Sequence, residues 1–206
     1  GAEVEIYMNA AHVFTDGAVF EVDGNANWTA EIGDRVLVRA KSTILFTVHP
    51  RKKTGSGVGG VLQVVHLDTG LVATGATILP FDNTIPQNTE GDQYMSLAIT
   101  PKSPNSTLVI NVVAHVANDT NSLIAAALFR DSTVGAVGVG YLRIANVNFL
   151  GLISYSVKVA SSSIAATTFK IRIGSDSGTN TFNGSGGVQY FGGVASSSIR
   201  ITEIGP

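Results

Sequence analysis

Between Thr107 and Val116 the chain alternates with a period of two. Leu108, Ile110, Val112, Ala114 and Val116 fall on one side, and Thr107, Val109, Asn111, Val113 and His115 on the other. A helix brings residues three and four apart together, so this spacing specifies a strand. The second side is itself half apolar, and both faces of this strand are expected to be covered. The same alternation recurs. Met95, Leu97 and Ile99 oppose Tyr94, Ser96 and Ala98; Ile153, Tyr155, Val157 and Val159 oppose Ser154, Ser156 and Lys158. Phe169, Ile171 and Ile173 alternate with Lys170 and Arg172, and Ile199 and Ile201 with Arg200 and Thr202. Clusters of Gly, Asn, Asp and Ser separate these runs, as turns require. Only Leu123-Ile124-Ala125-Ala126-Ala127-Leu128-Phe129 tempts a helical reading, because alanine favours helix. The run is short and strands surround it, so a strand is expected there too.

The pattern predicts two modules. Residues 61–206 carry roughly eight to ten strands with turn signals between them, which points to an antiparallel sandwich or jelly roll. Residues 1–53 carry about four short strands, around Glu5–Met8, Val19–Val22, Arg35–Ala40 and Ile44–Val48. Residues 54–60, Thr54-Gly55-Ser56-Gly57-Val58-Gly59-Gly60, read as a flexible linker. The stretch Val134-Gly135-Ala136-Val137-Gly138-Val139-Gly140 is unusual for a strand, because glycine weakens strands and marks close approach of other groups. Packing of small residues near a symmetry axis and a bulged strand against its own sheet both account for it.

Composition narrows the function. Charged residues are 14% of the chain, against roughly 25% in ordinary soluble domains. Mean hydropathy is +0.27. A lone subunit of this make-up exposes much apolar surface, so self-association is expected. A net charge of −2 without a basic stripe argues against nucleic-acid binding. The absence of cysteine removes disulfides, zinc-thiolate sites and cysteine nucleophiles. No run of about 18 apolar residues occurs, so no membrane-inserting helix is expected.

Little suggests catalysis. Asp82, Glu90 and Asp92 form the best acidic cluster, but their spacing is not that of a calcium loop. Carboxylates receiving backbone N–H groups are the simpler expectation. His12, His49, His66 and His115 are not paired at metal-ligand spacing, although three copies of His66 or His115 around a threefold axis would make a His₃ site. No serine lies in a Gly-x-Ser-x-Gly elbow, and neither Gly57–Gly60 nor Gly184–Gly187 continues into Gly-Lys-Ser/Thr. The expectation is a chain with no catalytic residues, no metal and no cofactor.

Binding suits the loops better. Sugars are held by aromatic faces with a few amide and carboxylate groups fixing orientation. Asp176, Asn180, Asn183 and Tyr190 supply those types in one region, with Phe191 beside Tyr190. Asn118, Asp119 and Asn121, with Tyr141, Asn146 and Asn148, form a second set. Plain turn chemistry uses the same residue types.

An ordered set of motifs spans residues 61–206. It runs Asp82-Asn83-Thr84-Ile85-Pro86-Gln87-Asn88-Thr89-Glu90-Gly91; Ile99-Thr100-Pro101-Lys102-Ser103; Ala127-Leu128-Phe129-Arg130-Asp131-Ser132; Thr168-Phe169-Lys170-Ile171-Arg172; Thr181-Phe182-Asn183-Gly184; and Ser198-Ile199-Arg200-Ile201-Thr202-Glu203-Ile204. This set resembles the C-terminal domain of bacteriophage tail-fibre and receptor-binding proteins, which are similar to trimeric jelly rolls of the tumour-necrosis-factor and C1q kind. The resemblance implies an all-β antiparallel jelly roll, a homotrimer, and a virion location with other tail or fibre proteins as neighbours. It also implies attachment to a host cell-surface glycan or protein. Residues 1–53 resemble the small β modules that precede such tips, and a head fibre or capsid decoration protein without receptor binding is the alternative. The shared motifs are expected to be mostly architecture, because targets differ where the motifs do not.

Overall fold

The computed structural model describes residues 59–206 throughout and, within the first 58 residues, the backbone of six strands. The chain divides into two units, Gly1–Val58 and Gly59–Pro206. The first contains β1 (Glu3–Tyr7), β2 (His12–Phe14), β3 (Phe20–Val22), β4 (Trp28–Ala30), β5 (Arg35–Ala40) and β6 (Phe46–Arg51). Four of these form a sheet in the order β1-β5-β6-β3, in which β3 runs parallel to β6; β2 and β4 pair separately. Residues 54–58 of the expected linker lie outside the described residues.

The second unit is an antiparallel sandwich of β7 (Val61–Thr69), β8 (Ala73–Gly75), β9 (Asp92–Ile99), β10 (Thr107–Asn118), β11 (Leu123–Arg130), β12 (Gly138–Arg143), β13 (Gly151–Ala160), β14 (Thr167–Ser175), β15 (Asn180–Phe182), β16 (Gly184–Ser185), β17 (Val188–Gln189) and β18 (Ser197–Ile204). One sheet runs β12-β11-β14-β9. The other is built on β10. Strand β13 pairs with it from Thr107 to Val116, and the opposite edge is shared in succession by β18, along Thr107–Val113, and β15, along Val116–Asn118. β7 then pairs with β18, and β8 with β15. Successive strands therefore cross between sheets, as in a jelly roll.

The alternation in the sequence becomes the core. Leu108, Ile110, Val112, Ala114 and Val116 are fully buried, with Ile199, Ile201 and Ile153 beside them; Ile124, Ala126, Leu128, Phe169, Ile171 and Ile173 belong to the same cluster from the other sheet. Each such valine, leucine, isoleucine or phenylalanine side chain contributes about 1.5–3 kcal/mol through removal from water.

Two expectations need correcting. The strand covered on both faces is β11, not β10. Val109, Val113 and His115 are only half-buried and Asn111 is exposed, whereas Ile124 through Phe129 are all buried. Ala125, Ala127 and Phe129 face away from the main core and pack with Leu79 and Ala136. The covering segment is the long β8–β9 connection together with Val134–Val137, and it lies over the β12-β11-β14-β9 sheet. Double coverage explains why Leu123–Phe129 shows no alternation and resembles a helix. Within the chain, the glycines of β12 answer to the facing sheet and not to a bulge in their own. A Cβ on Gly138 would strike Val157, and one on Gly140 would strike Tyr155 and Ile153. All three belong to β13 in the facing sheet, whose large side chains fill the space that β12 leaves.

Candidate functional site

The ordered motifs take on physical roles once the strands are in place. Glu203, fully buried on β18, has no cationic partner among the described residues. Its carboxylate accepts from the backbone N–H of Lys102 (2.8 and 3.0 Å to its two oxygens), the N–H of Ser103 (3.1 Å), the Ser106 hydroxyl (2.6 Å) and the Gln63 amide (2.6 Å). Desolvation pushes this carboxyl up, but the hydrogen bonds from Ser106, Gln63, Lys102 and Ser103 outweigh it and hold it below the ordinary carboxylate range. The motif Thr100–Ser103 is thus the donor side of a clamp whose acceptor is the glutamate of the last motif.

The remaining motifs behave alike. Arg172 donates to the carbonyls of Glu90 (2.8 Å) and Gly91 (2.6 Å), pinning the covering segment to β14. The segment is also joined to the 133–137 stretch through Asn88 N to Val134 O (2.8 Å) and Ala136 N to Pro86 O (2.9 Å). Arg130 donates to the carbonyls of Ala160 and Ser161, and Asp131 accepts from the backbone N–H of Thr168. The acidic cluster is dispersed among turns. Asp82 accepts from the N–H and hydroxyl of Thr84, Glu90 from the N–H of Gln87, and Asp92 from the N–H and hydroxyl of Thr77. Among the described residues no group of three or more His, Asp or Glu side chains is placed to hold a metal ion.

The candidate binding residues divide into two groups. Asn118, Asn180 and Asn183 are buried. Asn118 donates to Ser175 Oγ (3.1 Å), Ser177 O (3.0 Å) and Asn180 Oδ1 (3.0 Å), and its own oxygen accepts from the N–H and hydroxyl of Thr120. Asn183, at φ 55°, donates to the carbonyls of Thr69 and Leu71 and accepts from Ser197 Oγ (2.6 Å). These amides are turned inward and tie loops together. Asp119 and Asp176 are exposed yet also brace turns, accepting from Thr179 N and Leu123 N. Asn121, Asn146, Asn148 and Tyr190 are exposed, with Asn121 reached by Arg143 at 3.4 Å.

Apart from Tyr141, these residues meet at one end of the sandwich. The pairings Asn118↔Asn180, Val116↔Gly151, Leu123↔Arg143, Ile124↔Ser175 and Thr69↔Ser197 all lie there, so the connections after β7, β10, β12 and β14 and the whole stretch 183–196 emerge together. The loops are tied to one another by Asn148 N to Asn118 O (2.8 Å), Ser185 Oγ to Asn148 O (2.6 Å) and Gln189 Nε2 to Gly70 O (2.7 Å). Tyr141 stands apart on the outer side of β12, edge-on to Phe81 with ring centroids 6.3 Å apart.

This apex is unusually apolar. Leu71, Val147, Phe149, Val188, Phe191 and Val194 are all exposed there, Phe191 at 74% and Val194 at 84%. Phe191 lies in a single 3-10 turn, Phe191–Gly193, with φ of 53°. A bulky side chain seldom adopts that backbone region, and such strain clusters at functional positions. Its ring is 6.3 Å from that of Tyr190 at 48° between planes, giving two aromatic faces on one loop. Sequence reasoning reached Tyr190 and Phe191 but not Leu71, Val188 or Val194. Nothing in the local pattern separates an exposed valine from a buried one.

On the outer face of the β10 sheet, Val64, His66, Asp68, Ser198 and Arg200 line an open concavity of about 440 Å³. His66 Nε2 is 3.7 Å from Asp68 Oδ2. Among the described residues, Ser198 makes no hydrogen bond to His66, so the three residue types of a hydrolytic triad are neighbours without its geometry.

No family model matches this chain, and no curated protein matches it. Among solved structures, a tumour-necrosis-factor protein, Eiger from S. frugiperda, is similar at 8% identity over 68% of this chain and 92% of its own, with a TM-score of 0.39. Infectious bursal disease virus, Gx strain, is similar at 11% identity and a TM-score of 0.32, over 98% of this chain and 56% of the viral one. The VP2 subviral particle of that virus matches at 11% identity and 0.30, over 84% and 46%. The chain thus spans about half the length of these viral chains. The strand order itself defines the class: an all-β antiparallel jelly-roll sandwich.

Proposed function

We infer that this chain is a homotrimeric, non-enzymatic module of a bacteriophage tail fibre or other virion surface appendage, and that its apex loops attach the virion to a host bacterial surface glycan or protein. The observation that carries the reading is the apex: exposed aromatic and aliphatic side chains on loops cross-tied to a rigid sandwich. Large exposed apolar patches mark interaction sites, and aromatic faces with a few polar groups suit sugar rings. Trimerisation is supported by the low charge content and by apolar side chains that one subunit leaves exposed, among them Val139, Tyr141 and Leu152. Three copies of a weak site gain avidity without new contacts.

The test has two parts. Sedimentation should give a particle of three times the 21.4 kDa chain mass. The purified particle should bind host cells or spots on a bacterial glycan array, and the double substitution Tyr190→Ala with Phe191→Ala should abolish that binding while the particle stays assembled. A monomer, or binding indifferent to both aromatics, refutes the reading. A second reading, a fibre joint or capsid decoration without receptor binding, is favoured by one observation: the polar side chains of the shared motifs are largely spent on internal contacts. It predicts an assembled particle that fails to compete with phage adsorption.

A further inference from the structure

The geometry points to a second ligand site, distinct from the apex, on the outer face of the β10 sheet: an acidic sugar unit bound by Arg200 and His66. Register puts His66 of β7, Arg200 of β18 and Asn111 of β10 side by side across three adjacent strands. All three are exposed. Neighbouring strands are about 4.8 Å apart, so the row spans about 10 Å, room for one sugar unit with its substituents.

The contrast among the arginines of the second unit singles this one out. Arg130 and Arg172 spend their donors on carbonyls of the fold, and Arg143 reaches Asn121. Arg200 has no hydrogen bond or ion pair among the described residues, nor does the Asn111 amide. An unspent guanidinium beside a concavity presents a planar fork that matches a carboxylate.

The remaining lining selects the class of anion. Asp68 stands at one end, across from Ser198 and 3.7 Å from His66. Its negative charge disfavours a dianion such as phosphate, yet its oxygens accept from sugar hydroxyls. Val64 supplies an apolar wall against a ring face. One carboxylate, several hydroxyls and a partly apolar ring describe a hexuronic acid. This site needs nothing from the apex loops, so it stands or falls separately from the apex reading.

The experiment titrates glucuronate, glucose and inorganic phosphate, each separately, into the full isotope-labelled chain, following the Arg200 side-chain N–H and the backbone signals of His66 and Asn111. Glucuronate is expected to shift these signals saturably, with glucose and phosphate at least tenfold weaker. Arg200→Gln should weaken glucuronate at least tenfold, and Arg200→Lys, which keeps charge but loses the fork, by a smaller factor. Tyr190→Ala should change nothing here. Unchanged signals at these three residues, equal response to glucose, phosphate binding as tight as glucuronate, or an Arg200→Gln variant that binds normally would each overturn the proposal. Arg200 is exposed, and unchanged spectra away from the site will verify that its variants fold.

Discussion

Replacing Glu203 by glutamine keeps the side chain's shape and removes its charge. In the native structure one carboxylate oxygen receives Lys102 N, Ser103 N and Ser106 Oγ, and the other receives Lys102 N and the Gln63 amide. An amide in its place can still accept on one oxygen, but its NH₂ then faces the NH₂ of Gln63, donor against donor. Gln63 cannot turn without giving up its bond to Thr100 O at 2.7 Å. The loss is at least one hydrogen bond to a charged acceptor and a weakening of the others, about 2–3 kcal/mol. Glu203→Ala also orphans the two backbone N–H groups and leaves a cavity, for a loss of about 3–5 kcal/mol. At about 2–4 °C per kcal/mol for a unit of this size, glutamine should lower the melting temperature by several degrees. The pH dependence carries a sign. The folded carboxyl lies below its ordinary value of 4.5, so its contribution is fully present above that pH and is lost as pH falls through the depressed folded value. Thermal melts of wild type and Glu203→Gln at equal concentration should therefore differ most at neutral pH and converge in acid. Equal stability at pH 7, or a gap that does not shrink in acid, refutes the clamp.

Other substitutions test other parts of the fold. Gly140→Ala drives a methyl into Tyr155 and Ile153 of the facing sheet and should cost about 1–3 kcal/mol, seen in denaturant unfolding. Phe191→Gly relieves the positive φ, so stability should hold or rise by up to about 1 kcal/mol while binding to host cells or glycan falls. Arg172→Lys cannot span both the Glu90 and Gly91 carbonyls, and hydrogen exchange should quicken in residues 76–91 with the core strands unchanged.

The strands were legible because their side chains answer to one rule, apolar inward and polar outward, and that rule acts between adjacent residues. Thr107–Val116 and Phe169–Ile173 show it openly. Coverage was less legible. Whether a second layer lies over β10 or β11 depends on where the β8–β9 connection folds back, and no local pattern encodes that. The candidate site was read by residue type, and type does not reveal direction. Asn183 and Tyr190 look equally suited to a sugar, yet Asn183 is spent on Thr69 and Leu71, more than a hundred residues away in sequence. Glu203 was visible only as part of a motif. Its burial depends on four donors drawn from two distant stretches of chain, Gln63 and Lys102–Ser106.

Strand β18 lies between β7 and β10, yet it is synthesised after every other strand of the sandwich. Until it emerges, β7 has no ladder partner, and the Glu203 that closes the clamp on Thr100–Ser103 has not been made. Folding of this half must therefore wait for the whole unit to be translated, and pairings this distant in sequence form slowly. A chain lacking Ser197–Pro206 would carry an open seam between β7 and β10, with the inner face of each exposed to water.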